Sequence, residues 1–248
     1  MNIKYLLAAA ALLLSASVFA QDAELLTVTP EEDNMTVSIA GFDIKLGPSE
    51  GSGSSRHGIY TEARGFSPVN LGLTTFMGSE ETPDIRIPRS WYLSADIASF
   101  GIHGRAKFSP FFDTGIRLSH YNYRLNDGRA FTITENGVPA FIDGPVYDKS
   151  KFKLTYLGVP VTLGMRLGHD FKISATASFD ILVDARNKVK APKIKTQLYD
   201  LNPYRTSVEL AIHGKDCGIF VNYGLTSIFK ESSGLDAHTL SIGIRLLD

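Results

Sequence analysis

The chain has 248 residues, with 25 lysines and arginines against 26 aspartates and glutamates. That balance excludes the strongly basic surface a nucleic-acid partner selects. Cys217 is the only cysteine, so no intramolecular disulfide exists and packing and hydrogen bonds must hold the fold. Beyond the amino terminus no run of about eighteen apolar residues occurs, so strands closed into a barrel are the only means of crossing a membrane.

The opening stretch, MNIKYLLAAAALLLSASVFA, has one early cation, Lys4, then an apolar run ending in Val18-Phe19-Ala20. It reads as a secretory signal peptide over 1–20. Gln21 rather than a cysteine follows the expected cut, so no lipoprotein anchor is expected. Residues 21–55 form an acidic segment (QDAE, PEED) expected in the periplasm, and it ends in the Gly/Ser linker Gly47–Ser55. Within it, Met35–Leu46 alternates and fits a small hairpin turning near Gly41. Gly47–Gly51 also matches the G-x-S-x-G elbow, which needs a strand before it and a helix after it. Here it leads into a linker, so no catalytic role is expected for Ser49.

From residue 56 to 248 the signal is almost entirely β. Eight long strands are expected, at Phe66–Met77, Trp91–Ile102, Phe108–Leu125, Phe152–Leu167, Phe171–Arg186, Tyr204–His213, Gly218–Phe229 and His238–Leu247. Their connections alternate between long and short. Residues 103–107, 168–170 and 214–217 make tight turns, whereas 78–90, 126–151, 187–203 and 230–237 are longer. An antiparallel up-and-down arrangement collects the long loops at one end. The expected fold is therefore an all-β, eight-stranded transmembrane barrel with short periplasmic turns and longer extracellular loops.

The hairpin Leu157–Arg186 carries the clearest pattern. Leu157, Val159, Val161, Leu163, Met165 and Leu167 alternate with small or polar residues, and Phe171, Ile173, Ala175, Ala177, Phe179, Ile181 and Val183 do so after the turn. Period two places the two sets on opposite faces. Across the strands the polar face carries Asp96, Asp113, Arg117, Arg166, Asp180, Asp184, Arg186, Arg205, Glu209 and Arg245, with Lys172 as its only lysine. A solvated face uses lysine freely. An aspartate–arginine face suits a confined network, because the guanidinium fork pairs tightly with carboxylates. Gly72, Gly115, Gly158, Gly164 and Gly243 fall on the same face, as a narrow lumen requires beside long side chains. The apolar face is therefore expected to meet lipid, with the charges paired in a plugged lumen. Aromatic belts are expected at the two membrane interfaces: Trp91, Tyr123, Phe152, Tyr204 and Phe229 at the long-loop end, and Phe100, Phe108 and Phe171 at the other.

Little in the chain points to chemistry. The six histidines show no paired metal spacing. His103, His169 and His213 lie by the short turns, where interfacial solvation explains them. His120 is expected to face outward near the long-loop end, a level at which a lipid-modifying enzyme would act. Cys217 reads as a lone thiol, and no cofactor or metal is expected.

RSWYLSADIASFGI, FFDTGIRLSHYNYRL, SKFKLTYLGVPVTLGMRLG and the closing stretch from Leu201 to Leu247 resemble the PorT-like family of outer-membrane β-barrel proteins. The likeness spans about Arg56 to Leu247, and Tyr156, Leu157 and Pro160 with the NYGLTSIF and HTLSIGIRLL segments are its most specific parts. The resemblance implies an eight-stranded barrel with periplasmic termini and carries over no catalytic residue. One branch of that family supports a secretion system for exported proteins, which the resemblance extends to this chain as an expectation. The chain departs from such barrels in ending on Leu246-Leu247-Asp248 rather than an aromatic.

Three functions follow, in order. The first is a non-enzymatic outer-membrane barrel, whose partners are lipid and whatever its loops meet. Those loops, 126–151 and 187–203, hold Phe131, Phe141, Tyr147 and the stretch NKVKAPKIK. The second is an accessory component of an outer-membrane secretion system, with a periplasmic or secretion-machinery protein docking on 21–50. The third is a lipid-modifying enzyme.

Overall fold

A computed structural model describes residues 26–30, 35–39, 42–46, 59–78, 85–126, 129–133, 139–143, 150–168, 170–189, 194–197, 201–233 and 235–246. The expected signal peptide, Ser49, Tyr147, His57 and His169 lie outside these residues. Strands β1 (Leu26–Pro30), β2 (Met35–Ile39) and β3 (Phe42–Leu46) pair antiparallel in a sheet of their own, and β2–β3 is the hairpin expected from Met35–Leu46.

The remaining strands build the barrel. β4 (Ile59–Gly65) and β5 (Val69–Gly78) lie end to end along β6 (Trp91–Gly104), with β4 beside its second half and β5 beside its first. Together they make one interrupted strand, broken where Phe66 takes a left-handed φ of 57°. The chain continues through β7 (Phe108–Arg124), the hairpin β8 (Arg129–Ile133) and β9 (Pro139–Asp143), then β10 (Ser150–Leu167), β11 (Phe171–Val189) and the short β12 (Ile194–Gln197). It ends with β13 (Tyr204–His213), β14 (Cys217–Gly224) and β15 (Ala237–Leu246). Each barrel strand pairs antiparallel with its sequence neighbour, and β15 pairs β5, so the up-and-down sheet of eight closes on itself.

Long and short connections segregate to opposite ends as expected. At the β10–β11 turn Gly168 has a φ of 88°, a conformation without steric cost only for glycine, and its N–H donates to the Lys107 carbonyl of the neighbouring turn at 2.8 Å. Three features escape the period-two reading. β8–β9 and β12 lie within the long loops, β4 extends the first strand back to Ile59, and β14 ends at Gly224 rather than Phe229.

Two β-bulges matter most. Asp96 pairs Arg117 but Ala98 pairs Ile116, so Ile97 is extra in β6. Thr155 pairs Asp184 but Tyr156 pairs Leu182, so Val183 is extra in β11. An extra residue reverses which face every later side chain takes.

The molecule is inside out relative to a soluble barrel. Leu71, Leu93, Leu118, Leu163, Ile181, Leu210, Ile219 and Ile242, one from each barrel strand, are all exposed by more than a third. The buried interior holds a charged middle and an aromatic end.

Candidate functional site

The middle of the lumen is built from one row of cross-strand partners. Asp96 of β6 stands opposite Arg117 of β7, Arg117 opposite Gly158 of β10, Gly158 opposite Asp180 of β11, and Asp180 opposite Arg205 of β13. Glycine in the centre of the row leaves the room its neighbours need. A Cβ added to Gly158 would come within 2.8 Å of the Asp180 carboxyl carbon and 2.9 Å of the Phe179 carbonyl oxygen. Gly72 and Gly243 face each other in register, and a Cβ on Gly72 would lie 2.5 Å from the Ile242 carbonyl.

Arg117 donates through Nε to Asp96 Oδ1 at 2.5 Å and through Nη2 to Oδ2 at 3.2 Å, the two-pronged geometry of a strong arginine–carboxylate pair. Its Nη1 reaches Glu209 Oε1 at 3.3 Å. Glu209 is the hub. It also accepts from Arg245 Nη2 and, at 3.1 Å, from Asn70 Nδ2, while Arg245 Nε donates to Asn70 Oδ1 at 2.9 Å. Around Arg205, Nη1 lies 3.6 Å from Asp180 Oδ2 and donates to the Tyr121 hydroxyl at 2.5 Å. Its Nη2 donates to Asn222 at 3.1 Å and Thr239 at 2.8 Å. The guanidinium lies 4.6 Å from the Tyr121 ring centroid, a cation–π contact.

Asp96, Asp180 and Glu209 thus face Arg117, Arg205 and Arg245, three charges of each sign, none more than 5% exposed. The set is neutral overall, and hydrogen bonds join Asp96, Arg117, Glu209 and Arg245, which lowers the cost of burying their charge, whereas Asp180 Oδ1 and Arg205 Nε are buried without a hydrogen-bond partner among the described residues.

Toward the long loops the lumen turns aromatic. Tyr121 and Tyr123 follow Arg117 at the inward positions of β7, and Tyr156, Leu154 and Phe152 continue β10 inward from Gly158. Phe76 and Tyr123 have ring centroids 4.1 Å apart. The Phe131 ring of β8 lies 5.2 Å from that of Phe152 and stacks 5.7 Å from that of Phe229, so β8, within the 126–151 connection, folds back over the barrel mouth. Asn187 holds it there by donating to the Phe131 carbonyl at 2.5 Å.

Toward the short turns, His103 Nε2 meets Asp113 Oδ1 at 2.9 Å and Arg64 meets Glu62 at 2.5 Å. Lys172 lies 5.5 Å from the Phe111 ring centroid. A cavity of about 30 Å³ lies among Arg64, Asp113, Lys172, His213 and Arg245, room for about two waters.

The residues singled out in the sequence divide accordingly. Asp96, Arg117, Asp180, Arg205, Glu209 and Arg245 come together in the lumen network. Asp113 and Arg166 are half-buried nearer the short turns. Asp184 and Arg186 do not belong to the lumen. The β11 bulge turns them outward, where Arg186 Nε donates to Asp184 Oδ1 at 2.9 Å with side chains 33% and 59% exposed, respectively for the aspartate and the arginine. Of the expected belts, Trp91, Tyr204, Phe108 and Phe171 are exposed on the outside. Tyr123, Phe152 and Phe229 are instead buried in the barrel mouth: for the first two, period two counted from Arg117 and Gly158 fixes an inward direction. Phe100 is buried too, and it is not at a strand end, because β6 runs on to Gly104 with β4 alongside. Phe131, expected among the recognition loops, is buried against Phe152.

Sequence reasoning missed the interior aromatics Tyr92, Tyr121, Tyr156 and Phe220, and the burial of His103 and His213. Strict alternation from Arg117 and Gly158 would have found Tyr121 and Tyr156. His103 is turned inward by the β6 bulge, which no periodicity announces. His120 lies on the outside, its Nδ1 2.9 Å from Thr155 Oγ1 and its ring 5.2 Å from Trp91. Cys217 is exposed at the start of β14. No protein-family model, curated protein or solved structure matches the chain.

Proposed function

We propose that this chain is a non-enzymatic outer-membrane β-barrel with a plugged lumen, anchored in lipid and offering its long-loop end for structural or recognition roles. The observation that carries this reading is the inverted distribution of polarity. A ring of exposed aliphatic side chains surrounds a buried, charge-balanced interior. In water that ring far exceeds the few hundred Å² of contiguous apolar surface a soluble monomer exposes.

Its height suits a bilayer. On β11 the outward apolar positions run from Ile173 to Val183 and on β10 from Met165 to Leu157. Ile173 to Val183 spans about 34 Å along the strand, or about 26 Å at a tilt of about 40°. Trp91 and Tyr204 on one side and Phe108 and Phe171 on the other sit where interfacial aromatics belong. The paired charges in the middle of the lumen and the packed aromatic rings at its mouth favour a plug over a conduction path.

Cell fractionation with heat-modifiable gel migration tests this. The protein should enter the outer-membrane fraction and run as a compact band until boiled. Recovery as a soluble periplasmic protein would overturn the reading.

A second reading, an accessory component of an outer-membrane secretion system, draws on the acidic segment 21–55 with its own sheet β1–β3 and on the resemblance to the PorT-like family. Deleting 21–50 should then abolish secretion of exported proteins while the barrel still assembles. A lipid-modifying enzyme centred on His120 has less support, since His120 contacts Thr155 while Asp184, opposite Thr155, is bonded to Arg186.

A further inference from the structure

One cation of the inward face has no anion at hand. Lys172 of β11 stands directly opposite His213 of β13, and Gly218 of β14 stands opposite both His213 and, on its other side, Arg245 of β15. No carboxylate occupies this row. Arg117, Arg205 and Arg245 each lie within 4 Å of a carboxylate, whereas among the described residues Lys172 meets none. Its Nζ lies over the Phe111 ring instead, 5.5 Å from the centroid. A half-buried ammonium without a counter-charge is costly.

The cavity of about 30 Å³ lies at this row, with Lys172, His213, Ser174 and Arg245 among its walls. The carboxylates beside it are committed: Asp96 is gripped by Arg117, and Asp113 Oδ1 meets His103 Nε2 at 2.9 Å. What stays unmet are donors. His213 is 5% exposed, and its Nδ1 is buried with no hydrogen-bond partner among the described residues. The Ser174 hydroxyl accepts from Arg245 Nη1 at 3.5 Å, which leaves its own hydrogen to give. An ammonium, an imidazole and a hydroxyl therefore border one small space. A water there brings two further donors that need acceptors, whereas an anion brings none.

We propose that the short-turn end of the lumen binds one small monovalent anion, of the size of chloride, between Lys172 and His213. A halide is slightly larger than a water and fits a space for about two, whereas the tetrahedron of a sulfate or phosphate does not. The anion neutralises Lys172, and a His213 imidazole protonated at Nδ1 donates to it. Gly218 makes the room. A Cβ there would lie 2.3 Å from the His213 Cβ, so a larger residue would push the imidazole out of the row. Lys172 is half-buried and the Asp113 side chain is 24% exposed, so the site opens toward the short turns. It needs only the closed barrel, whether lipid or water surrounds it.

The full chain is refolded into phosphatidylcholine vesicles and unfolded in urea, followed by the fluorescence of Trp91, its only tryptophan. Sodium chloride is compared with sodium gluconate, whose anion is too large to enter, at equal ionic strength. The midpoint should rise with chloride and not with gluconate. At a chloride concentration about ten times the dissociation constant, the unfolding equilibrium constant should fall about tenfold. Bromide should act as chloride does, and sulfate should not. Lys172→Gln should abolish the chloride dependence, while Lys215→Gln, in a short turn, should keep it. Heat-modifiable migration checks that each variant is folded. His213→Phe keeps a ring but removes the donor, and it should raise the chloride needed for half the effect. Equal midpoints in chloride and gluconate would leave only water in the cavity and overturn the proposal. A chloride effect that persists in Lys172→Gln, or an unchanged chloride requirement in His213→Phe, would place the anion elsewhere and overturn it too. A chain that dissolves without vesicles overturns the membrane reading, and the same titration in buffer then decides the anion.

Discussion

Replacing Glu209 by alanine removes the acceptor on which three strands converge. Arg117, Arg245 and Asn70 all donate to its carboxylate, tying β7, β15 and β5 to β13 through the centre of the lumen. Hydrogen bonds to charged groups contribute about 1.5–3 kcal/mol each, and breaking one partner out of a buried pair costs about 3–5 kcal/mol because the remaining charge stays desolvated. Two arginines are stranded here, though each keeps another acceptor, Arg117 in Asp96 and Arg245 in Asn70. The expected loss for Glu209→Ala is therefore about 4 kcal/mol, a large fraction of the roughly 5–15 kcal/mol of a typical domain. Glu209→Gln keeps the shape but leaves three cations against two anions, and should cost about 2 kcal/mol or more. Urea titration of the refolded barrel in vesicles, followed by Trp91 fluorescence and gel migration, measures both. Glu231→Gln, at an exposed loop position, should stay within about 0.5 kcal/mol of the parent. If both Glu209 variants unfold at the parent midpoint, the lumen network does not hold this barrel together.

Gly158→Ala should lower stability and disturb the Asp180–Arg205 pair, since its Cβ collides with both the Asp180 carboxylate and the Phe179 carbonyl; the same urea titration reads it, and parent-like stability would refute the space argument. Phe152→Ala should cost about 3–5 kcal/mol by emptying the contact between Phe131 and Phe229, and should raise protease cleavage of the 125–150 connection. In a Cys217→Ser background, Arg186→Cys should react with a membrane-impermeant maleimide, whereas Asn187→Cys should not. Deleting Val183 should leave both outcomes unchanged, because it removes the bulge while joining inward Leu182 directly to outward Asp184, so the pairing of Tyr156 with Leu182 and of Thr155 with Asp184 is kept. In planar bilayers the parent should show no steady conductance, and an open channel would contradict a filled lumen.

Alternation and loop lengths alone determined that this chain is a β-barrel of eight up-and-down strands. Each strand has a period of two, and tight turns alternate with long connections, so every neighbour is antiparallel and the order follows from the sequence. The same periodicity placed Asp96, Arg117, Asp180, Arg205, Glu209 and Arg245 on one face, and it also held the direction of Tyr123 and Phe152, which their position at strand ends obscured. Which carboxylate meets which arginine depends on register between strands far apart in the chain, as between Glu209 and Arg245, and pattern within one strand carries no such information. Asp184, Arg186 and His103 were decided by bulges at Val183 and Ile97. An extra residue costs the ladder little and leaves no compositional mark, yet it reverses the face of everything after it, so only the closed tertiary structure could assign those side chains to the lumen or the outside.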